Sequence, residues 1–160
     1  MPWSFFGRKE PSAPPSKLPR ESYLGLHLET DGKTDVWLVN TALIAFPEKA
    51  LFPWRLSIII EMEETHEIGL PTAAEQRVLG GLGTALSALL KENDNAVFVG
   101  SGSCNGMRQM LYHIRDPEAA HRALTAFVAS PAATRAMEYR MDQDAEWAHA
   151  GIYLEAAQNA

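Results

Sequence analysis

The sequence is poor in cysteine, in long hydrophobic runs and in basic residues. Its one cysteine, Cys104, excludes an internal disulfide and any zinc site built from several cysteines. No apolar stretch approaches the roughly 18 residues that a membrane-spanning helix needs. Basic residues number 14 against 20 acidic ones, which gives a net charge of −6. Because an acidic protein repels phosphate backbones, the composition argues against nucleic-acid binding.

The charge is unevenly placed along the chain. Residues 1–20 carry four basic residues and one acidic residue, whereas residues 21–160 carry 10 basic and 19 acidic residues. Hydrophobic residues make up 46% of the 160 residues, which is enough for the core of one soluble domain. An acidic domain of this kind fits a basic protein partner, and it equally fits plain solubility.

The first 20 residues are predicted to be a disordered tail, and residues 21–160 a single domain. Residues 8–20 contain four prolines and two serines, a composition typical of an extended linker. The aromatic residues Trp3, Phe5 and Phe6 precede Arg8 and Lys9, which is the wrong order for a secretory signal. A weak anchor on a membrane surface is the alternative interpretation of these aromatic residues. We expect a cytoplasmic location.

Alternating apolar and polar residues predict six β-strands. The first two, separated by a turn at Asp31 and Gly32, form a predicted hairpin. A run of three isoleucines, from Ile58 to Ile60, indicates a central strand. The dipeptide Asn105-Gly106 predicts a tight turn between the fourth and fifth strands. The predicted strands are residues 22–29, 34–41, 54–62, 96–103, 107–115 and 135–142.

Three segments have helical signals. Thr72 and Glu75 have the spacing of a capping box, which predicts a helix over residues 72–92. Glycines at 80, 81 and 83 interrupt that helix, and we expect them where its backbone lies close to a sheet. Asp116 and Pro117 are typical of a helix start, and a short last helix is predicted over residues 144–153.

From residue 54 onward the predicted order is strand, helix, strand, strand, helix, strand. This is the order of a ferredoxin-like split β-α-β sandwich. The predicted fold is therefore α+β, an antiparallel sheet covered by two helices, with an added N-terminal β-hairpin. The second face of the sheet is expected to stay partly open for a partner or ligand.

Several short motifs resemble the family called domain of unknown function 695. That family is similar to the regulator of ribonuclease E activity B, an inhibitory protein with a ferredoxin-like domain. The resemblance covers about residues 22–155 and implies the fold and a bacterial, cytoplasmic setting, but it implies no activity. The residues that carry it are Gly69-Leu70-Pro71 before Glu75, Gly106-Met107-Arg108 with Tyr112, and Tyr139 with Asp144 and Trp147.

Two polar groupings are weak candidates for chemistry. Glu61, Glu63 and His66 follow the third strand and have oxygen and nitrogen donors that bind a divalent cation. The alternative is a solvated, charged strand end, and we expect no metal and no cofactor. Cys104 needs a histidine partner to act as a nucleophile, and His27 and His113 are both on predicted strands. The alternative for a lone cysteine is a small hydrophobic residue.

The strongest candidate site combines a guanidinium group with aromatic side chains. Arg108 and Tyr112 lie four residues apart on one strand and therefore share a face. With Tyr139 and Trp147 they would form a patch suited to an anionic ligand or to a protein partner. The alternative is structural, with Arg108 pairing with Asp144 or with Asp144 capping the last helix.

The sequence favours a non-enzymatic binding or regulatory module that engages a protein partner. The alternative is a protein or enzyme that binds a small anionic molecule through Arg108 and Tyr112 with a histidine as titratable group. A third possibility is a homodimer formed through the sheet, and the expected state is a monomer or a homodimer. A pocket lined by Arg108 and Tyr139 would favour the small molecule, and a shallow apolar strip would favour the protein partner.

Overall fold

The computed structural model describes residue 15 and residues 17–160. Most of the predicted disordered tail, including the aromatic residues of the membrane-anchor hypothesis, lies outside these described residues. Within them, no helix is both long enough and apolar enough to span a membrane. The strands are β1 (Tyr23–Thr30), β2 (Lys33–Asn40), β3 (Trp54–Glu61), β4 (Ala96–Cys104), β5 (Met107–Ile114) and β6 (Met137–Gln143). The helices are α1 (Ala73–Leu90), α2 (Pro117–Val128) and α3 (Ala148–Gln158).

The six strands form one antiparallel sheet in the order β1-β2-β4-β5-β3-β6. The α+β class predicted from the sequence is therefore confirmed. Strand β3 has neighbours on both sides, but its isoleucine run is fully buried on one face only, at Ile58 and Ile60. Strands β1 and β6 are the two outer strands of this order.

Two hydrophobic clusters lie on opposite faces of the sheet. The first contains the apolar stripes of α1 and α2 with Met110, Tyr112 and Ile114 of β5. The second contains α3 and the segment between β2 and β3, which pack against the intervening residue Leu111. Because neighbouring residues of a strand point to opposite faces, the sheet lies between the two clusters.

The prediction of a sheet covered by two helices is therefore incomplete. Helix α3 and the segment over residues 41–52 cover part of the second face, and α3 runs from Ala148 to Gln158 rather than over residues 144–153. The bounds of α3 were hard to predict because its apolar residues are mostly alanines, which give a weak helical periodicity. Those that α3 buries are Ala150, Leu154 and Ala157.

Local sequence signals place the starts of α1 and α2 correctly. The Thr72 hydroxyl accepts a hydrogen bond from the Glu75 amide at 3.2 Å, and α1 begins one residue later. The Asp116 carboxylate accepts from the amides of Glu118 and Ala119, with Pro117 in the first turn of α2. These side chains satisfy amides that a helix start leaves unpaired.

The glycines of α1 do not lie where the sequence analysis expected them. Gly80 and Gly81 are exposed, and a Cβ atom added at either would have no neighbour within 4 Å. Only Gly83 approaches the sheet, where an added Cβ would be 3.3 Å from the Met110 Cε. The expectation of close approach is therefore wrong for Gly80 and Gly81, whose side of the helix faces solvent.

We predict that Gly80→Ala stabilises the protein. Alanine in an exposed helix interior is favoured over glycine by about 1 kcal/mol, because glycine loses more conformational freedom on folding. Urea unfolding should show a higher free energy of unfolding with an unchanged dependence on urea concentration.

Gly100→Ala is the matched control, because it adds the same methyl group where the space is occupied. A Cβ atom at Gly100 would lie 2.6 Å from the Leu38 carbonyl oxygen across the β2–β4 pair. This variant should unfold at lower urea concentration than the wild type. A neutral or destabilising Gly80→Ala would contradict the exposed placement of that glycine.

Candidate binding site

The loop after β3 is fastened to the turn between β4 and β5. The Gly106 amide donates to the Gly69 carbonyl at 2.8 Å, and the Met62 amide donates to the Gly106 carbonyl at 2.9 Å. Asn105 and Gly106 both have positive φ, as the predicted tight turn requires. A Cβ atom at Gly69 would lie 2.8 Å from the Asn105 Cα, so this position requires glycine. Two of the motifs singled out in the sequence thus form one packed unit.

Arg108 supports this unit from within the sheet. Its Nε donates to the Ser103 Oγ at 2.8 Å, and its Nη2 donates to the Gln76 Oε1 at 2.6 Å. Burial lowers the pKa of the Arg108 guanidinium. Arg108 therefore joins β4 and β5 to the first turns of α1, and two of its donors are already used.

Glu75 does not complete the predicted capping box. The Thr72 amide donates to the Glu64 carbonyl at 3.2 Å, not to the Glu75 carboxylate. Instead Arg135 donates two hydrogen bonds to that carboxylate, at 2.9 and 2.7 Å, and the Glu63 amide donates a third at 2.9 Å. The Glu75 side chain is 1% exposed, so this is a buried and fully hydrogen-bonded ion pair.

The same contacts set the protonation state of Glu75. The hydrogen bonds from Arg135 lower the pKa of Glu75 to about 2, and they outweigh the opposing effect of burial. The Glu63 amide acts in the same direction as Arg135. Glu75 is therefore a charged structural group at neutral pH and not a proton donor or acceptor for chemistry.

The three weak candidates for a metal site do not converge. Glu63 forms an ion pair with Arg135 at 3.3 Å, and His66 lies in the loop, where its amide donates to the Leu70 carbonyl. Glu61, at the end of β3, is exposed. Over residues 15 and 17–160, no three metal-binding side chains come together. The candidate cation site is therefore not assembled, because Arg135 already neutralises Glu63.

A pocket of about 440 Å³ lies beside the Asn105–Gly106 turn. Cys104 and His27 both line it, so one of the two predicted cysteine–histidine combinations faces a common pocket. A hydrogen bond with Asp35, and then burial, raises the pKa of the Cys104 thiol. A thiol with a raised pKa is a poor nucleophile at neutral pH. The remaining lining residues are Gly32, Lys33, Thr34, Val36, Ile68, Leu70 and Asn105.

Tyr112 and Tyr139 face the same side of the sheet as Arg108. Tyr112 is fully buried, its hydroxyl lies 2.6 Å from the Ser87 Oγ, and burial raises the pKa of Tyr112. The Tyr139 hydroxyl lies 2.6 Å from the His121 Nδ1 and 3.1 Å from the Thr125 Oγ1. Both hydroxyls therefore fix α1 and α2 on the sheet.

Trp147 and Asp144 lie on the opposite side of the sheet. The Trp147 indole is buried, donates to the carbonyls of Lys49 and Phe52 at 3.0 Å each, and stacks on His113 with ring centroids 4.0 Å apart. The Asp144 carboxylate accepts from the first two amides of α3, at 2.9 and 3.2 Å.

The sheet therefore separates the residues of the predicted guanidinium and aromatic patch into two groups. Arg108, Tyr112 and Tyr139 are on the face of α1 and α2, whereas Asp144 and Trp147 are on the face of α3. The proposed Arg108–Asp144 ion pair is wrong, because Arg108 contacts Gln76 and Asp144 binds α3. The alternative in which Asp144 caps the last helix is confirmed.

A group of exposed apolar side chains lies elsewhere, at the start of β1 and the end of β2. Tyr23 is 41% exposed, Leu24 37% and Leu38 45%. Gly25 lies opposite Leu38, and a Cβ atom added there would have no neighbour within 4 Å. Leu24 is on the face of α3, and Tyr23, Gly25 and Leu38 are on the other face. We call these four residues, together with the outer edge of β1 that they border, the open corner. In the described part of the chain, β1 pairs with β2 only.

Sequence reasoning missed the open corner because alternation does not reveal strand order. The leucines at 24, 26 and 28 predict one buried face, but Leu24 lies at the margin of the sheet, where α3 does not fully cover it. The signal that could have found it is the lack of Lys, Arg and Pro in β1, since these residues protect outer strands.

Comparison with known proteins gives one match. The sequence profile of the Family of unknown function (DUF695) matches residues 26–154. The match includes the loop at Gly69, the turn at Gly106 and the Trp147 anchor, and thus the residues on which the resemblance was based. No curated protein and no solved structure matches the chain.

We predict that Glu75→Gln destabilises the protein by about 2 kcal/mol at pH 7, because a neutral amide replaces the buried carboxylate that accepts three hydrogen bonds. The pKa of Glu75 is about 2 in the folded protein against 4.5 ordinarily. Its contribution is therefore fully present above about pH 5 and is lost as the pH falls toward 2. Urea unfolding of wild type and variant at pH 7 and pH 3 should show the difference shrinking at the lower pH.

Glu118→Gln is the control, because it removes a carboxylate from an exposed i,i+4 pair with Arg122 at 3.7 Å. Such pairs contribute about 0.5 kcal/mol or less. A pH-independent difference between wild type and Glu75→Gln would show that the carboxylate charge does not stabilise the fold.

Proposed function

The chain belongs to the Family of unknown function (DUF695), and from that premise we propose that it is a non-enzymatic binding module that engages a protein partner. The observation that carries the proposal is the open corner, where an outer strand with one neighbour among residues 17–160 borders exposed apolar side chains. The proposed mode of binding is strand addition, in which an extended segment of the partner pairs with the outer edge of β1.

The two outer strands differ in a way that supports this proposal. Strand β6 presents Glu138, Arg140 and Asp142 on the face away from α1 and α2, and Arg140 pairs with Asp142 at 3.0 Å. Charged residues on an outer strand oppose pairing with another chain. Strand β1 has the sequence YLGLHLET, with one carboxylate and no lysine, arginine or proline. Because charged residues protect the β6 edge and not the β1 edge, we infer that the β1 edge is the one that binds a partner.

The chemistry of the open corner defines the partner segment. Gly25 leaves a gap beside Leu38, and an aromatic ring from an added strand would cover both. Residues 21–160 carry 10 basic and 19 acidic residues, so a basic segment is attracted and an acidic one is repelled. The proposed partner segment is therefore extended, has aromatic or large apolar residues at alternate positions, and carries basic residues.

Binding of a small anionic molecule is the second candidate function. The pocket of about 440 Å³, with Lys33 and His27 in its lining, favours it, since ligand pockets begin at roughly 300 Å³. The proposed combination of Arg108 and Tyr112 is less well supported. Tyr112 is buried, and Arg108 donates to Ser103 and Gln76 and does not line the pocket.

We also propose that the fold is ferredoxin-like. The order β4-β5-β3-β6 with α1 and α2 on one face supports a ferredoxin-like arrangement with β1 and β2 as an added hairpin. Such an arrangement fits the distant similarity to the regulator of ribonuclease E activity B that the sequence motifs suggest.

A bacterial cytoplasmic setting fits the single free cysteine, since disulfides are rare there. A monomer or a homodimer is compatible with the proposal.

We predict that Leu38→Lys abolishes peptide binding. A phage-displayed library of random 12-residue peptides, selected on the full chain, should yield sequences that combine aromatic and basic residues. The variant places a charge where the aromatic ring would pack, and we expect affinity for the selected peptides to fall at least about tenfold.

Ile152→Lys is the matched control. Ile152 is 59% exposed and belongs to α3, so the same change of charge and size is made at a solvent-exposed helix position and not on the strands of the open corner. The control should bind the selected peptides like the wild type, and circular dichroism should show that both variants are folded. Selected peptides that bind all three proteins equally would argue against the open corner as the site.

A further inference from the structure

The first residues of the chain have the composition of the segment that the open corner fits. Residues 3–9 read Trp-Ser-Phe-Phe-Gly-Arg-Lys, with aromatic residues at alternate positions 3 and 5 followed by two basic residues. Residues 1–20 carry four basic residues against one acidic residue, opposite in sign to the rest of the chain.

We propose that residues 3–9 bind along the outer edge of β1 in the same molecule and compete there with an external partner. The regulatory part of this inference rests on the proposed function, since only then does occupation of the edge affect a partner. The intramolecular contact itself does not require that function.

The path of the chain makes the contact reachable. Leu18 and Pro19 lie beside Asn40, Lys91 and Phe98, at the end of the sheet where β1 begins. Phe98 belongs to β4, and β2 and β1 lie between β4 and a strand added outside β1. The chain therefore has to cross three strand spacings, about 14 Å. Pro15 is buried in the structure, and the five residues 10–14 before it span about 16 Å when extended. That length exceeds the distance to be bridged.

Tethering makes the chain's own segment a strong competitor. A short linker that matches the distance between two sites holds a ligand at an effective concentration on the order of 1 mM. A segment with a dissociation constant of about 0.3 mM in free solution would then occupy the edge in most molecules. Electrostatic attraction of Arg8 and Lys9 to the acidic domain increases this occupancy, and added salt weakens the attraction.

The test compares the full chain with the variant Trp3→Ser/Phe5→Ser/Phe6→Ser. Two quantities are measured: hydrogen–deuterium exchange of the β1 amides, and the affinity of a synthetic peptide with the sequence of residues 1–10. The variant should exchange its outward-facing β1 amides about fourfold faster than the wild type. It should also bind the added peptide more tightly by the same factor, because both quantities report the fraction of molecules with a vacant edge.

Two controls locate the effect. Pro11→Ser/Ser12→Ala/Ala13→Ser changes three linker residues and should behave like the wild type. Leu38→Lys in the aromatic-to-serine variant should abolish binding of the added peptide. If the aromatic substitutions leave both exchange and peptide affinity unchanged, the inference is wrong.

The outcomes also separate this inference from the proposed function. Faster exchange in the aromatic variant, with no external peptide selected by any protein, would support the intramolecular contact and contradict the proposed partner binding. Selected peptides that bind wild type and aromatic variant equally would support partner binding and contradict the contact. A concentration-dependent dimer, in which exchange of β1 slows as protein concentration rises, would assign the edge to a second copy and overturn the inference.

Discussion

The buried pair of Glu75 and Arg135 is the contact on which the arrangement of this protein depends. Glu75 is in the first turn of α1, Arg135 lies just before β6, and the Glu63 amide joins them from the loop after β3. These three segments belong to the two crossings that carry the chain over one face of the sheet. A single ion pair therefore fixes where both crossings begin or end. The hydrogen bonds that satisfy both charges make the burial tolerable.

Among residues 17–160, this arrangement places no element against the outer edge of β1. Helices α1 and α2 pack over β3, β5 and part of β4, while α3 packs on the opposite face. No helix lies beyond β1 in the described residues, and β1 adds length to the sheet without being enclosed. The two outer strands differ in composition, since β6 is charged and β1 is largely apolar. They do not differ in length by more than one residue, so strand length does not explain why only β6 is protected. Selection for solubility alone would protect both edges in the same way.

Much of the local structure was predictable from the sequence, whereas contacts between distant elements were not. The tight turn at Asn105, the cap of α2 and the six strands follow from signals that act within a few residues. The division of the candidate patch does not, because the faces of Arg108 and Trp147 depend on strand order and on where α3 packs. A bulge between Phe98 and Gly100 shifts the register of β4 against β5. No short-range pattern in β4 announces that shift, which places Ser103 beside Arg108.

The candidate site shows why short motifs identify a family better than they identify a function. Gly69, Gly106, Asp144 and Trp147 each satisfy a backbone or packing requirement, respectively a close approach, a positive φ, a helix cap and a buried anchor. Residues of this kind hold the loops and helices in place, and their substitution would act through folding. The surface available to a partner lies instead on side chains that the fold leaves exposed, such as Tyr23 and Leu38. A binding role for this chain is therefore argued from what its fold leaves uncovered at β1, and the motif residues explain why that edge is presented on a rigid sheet.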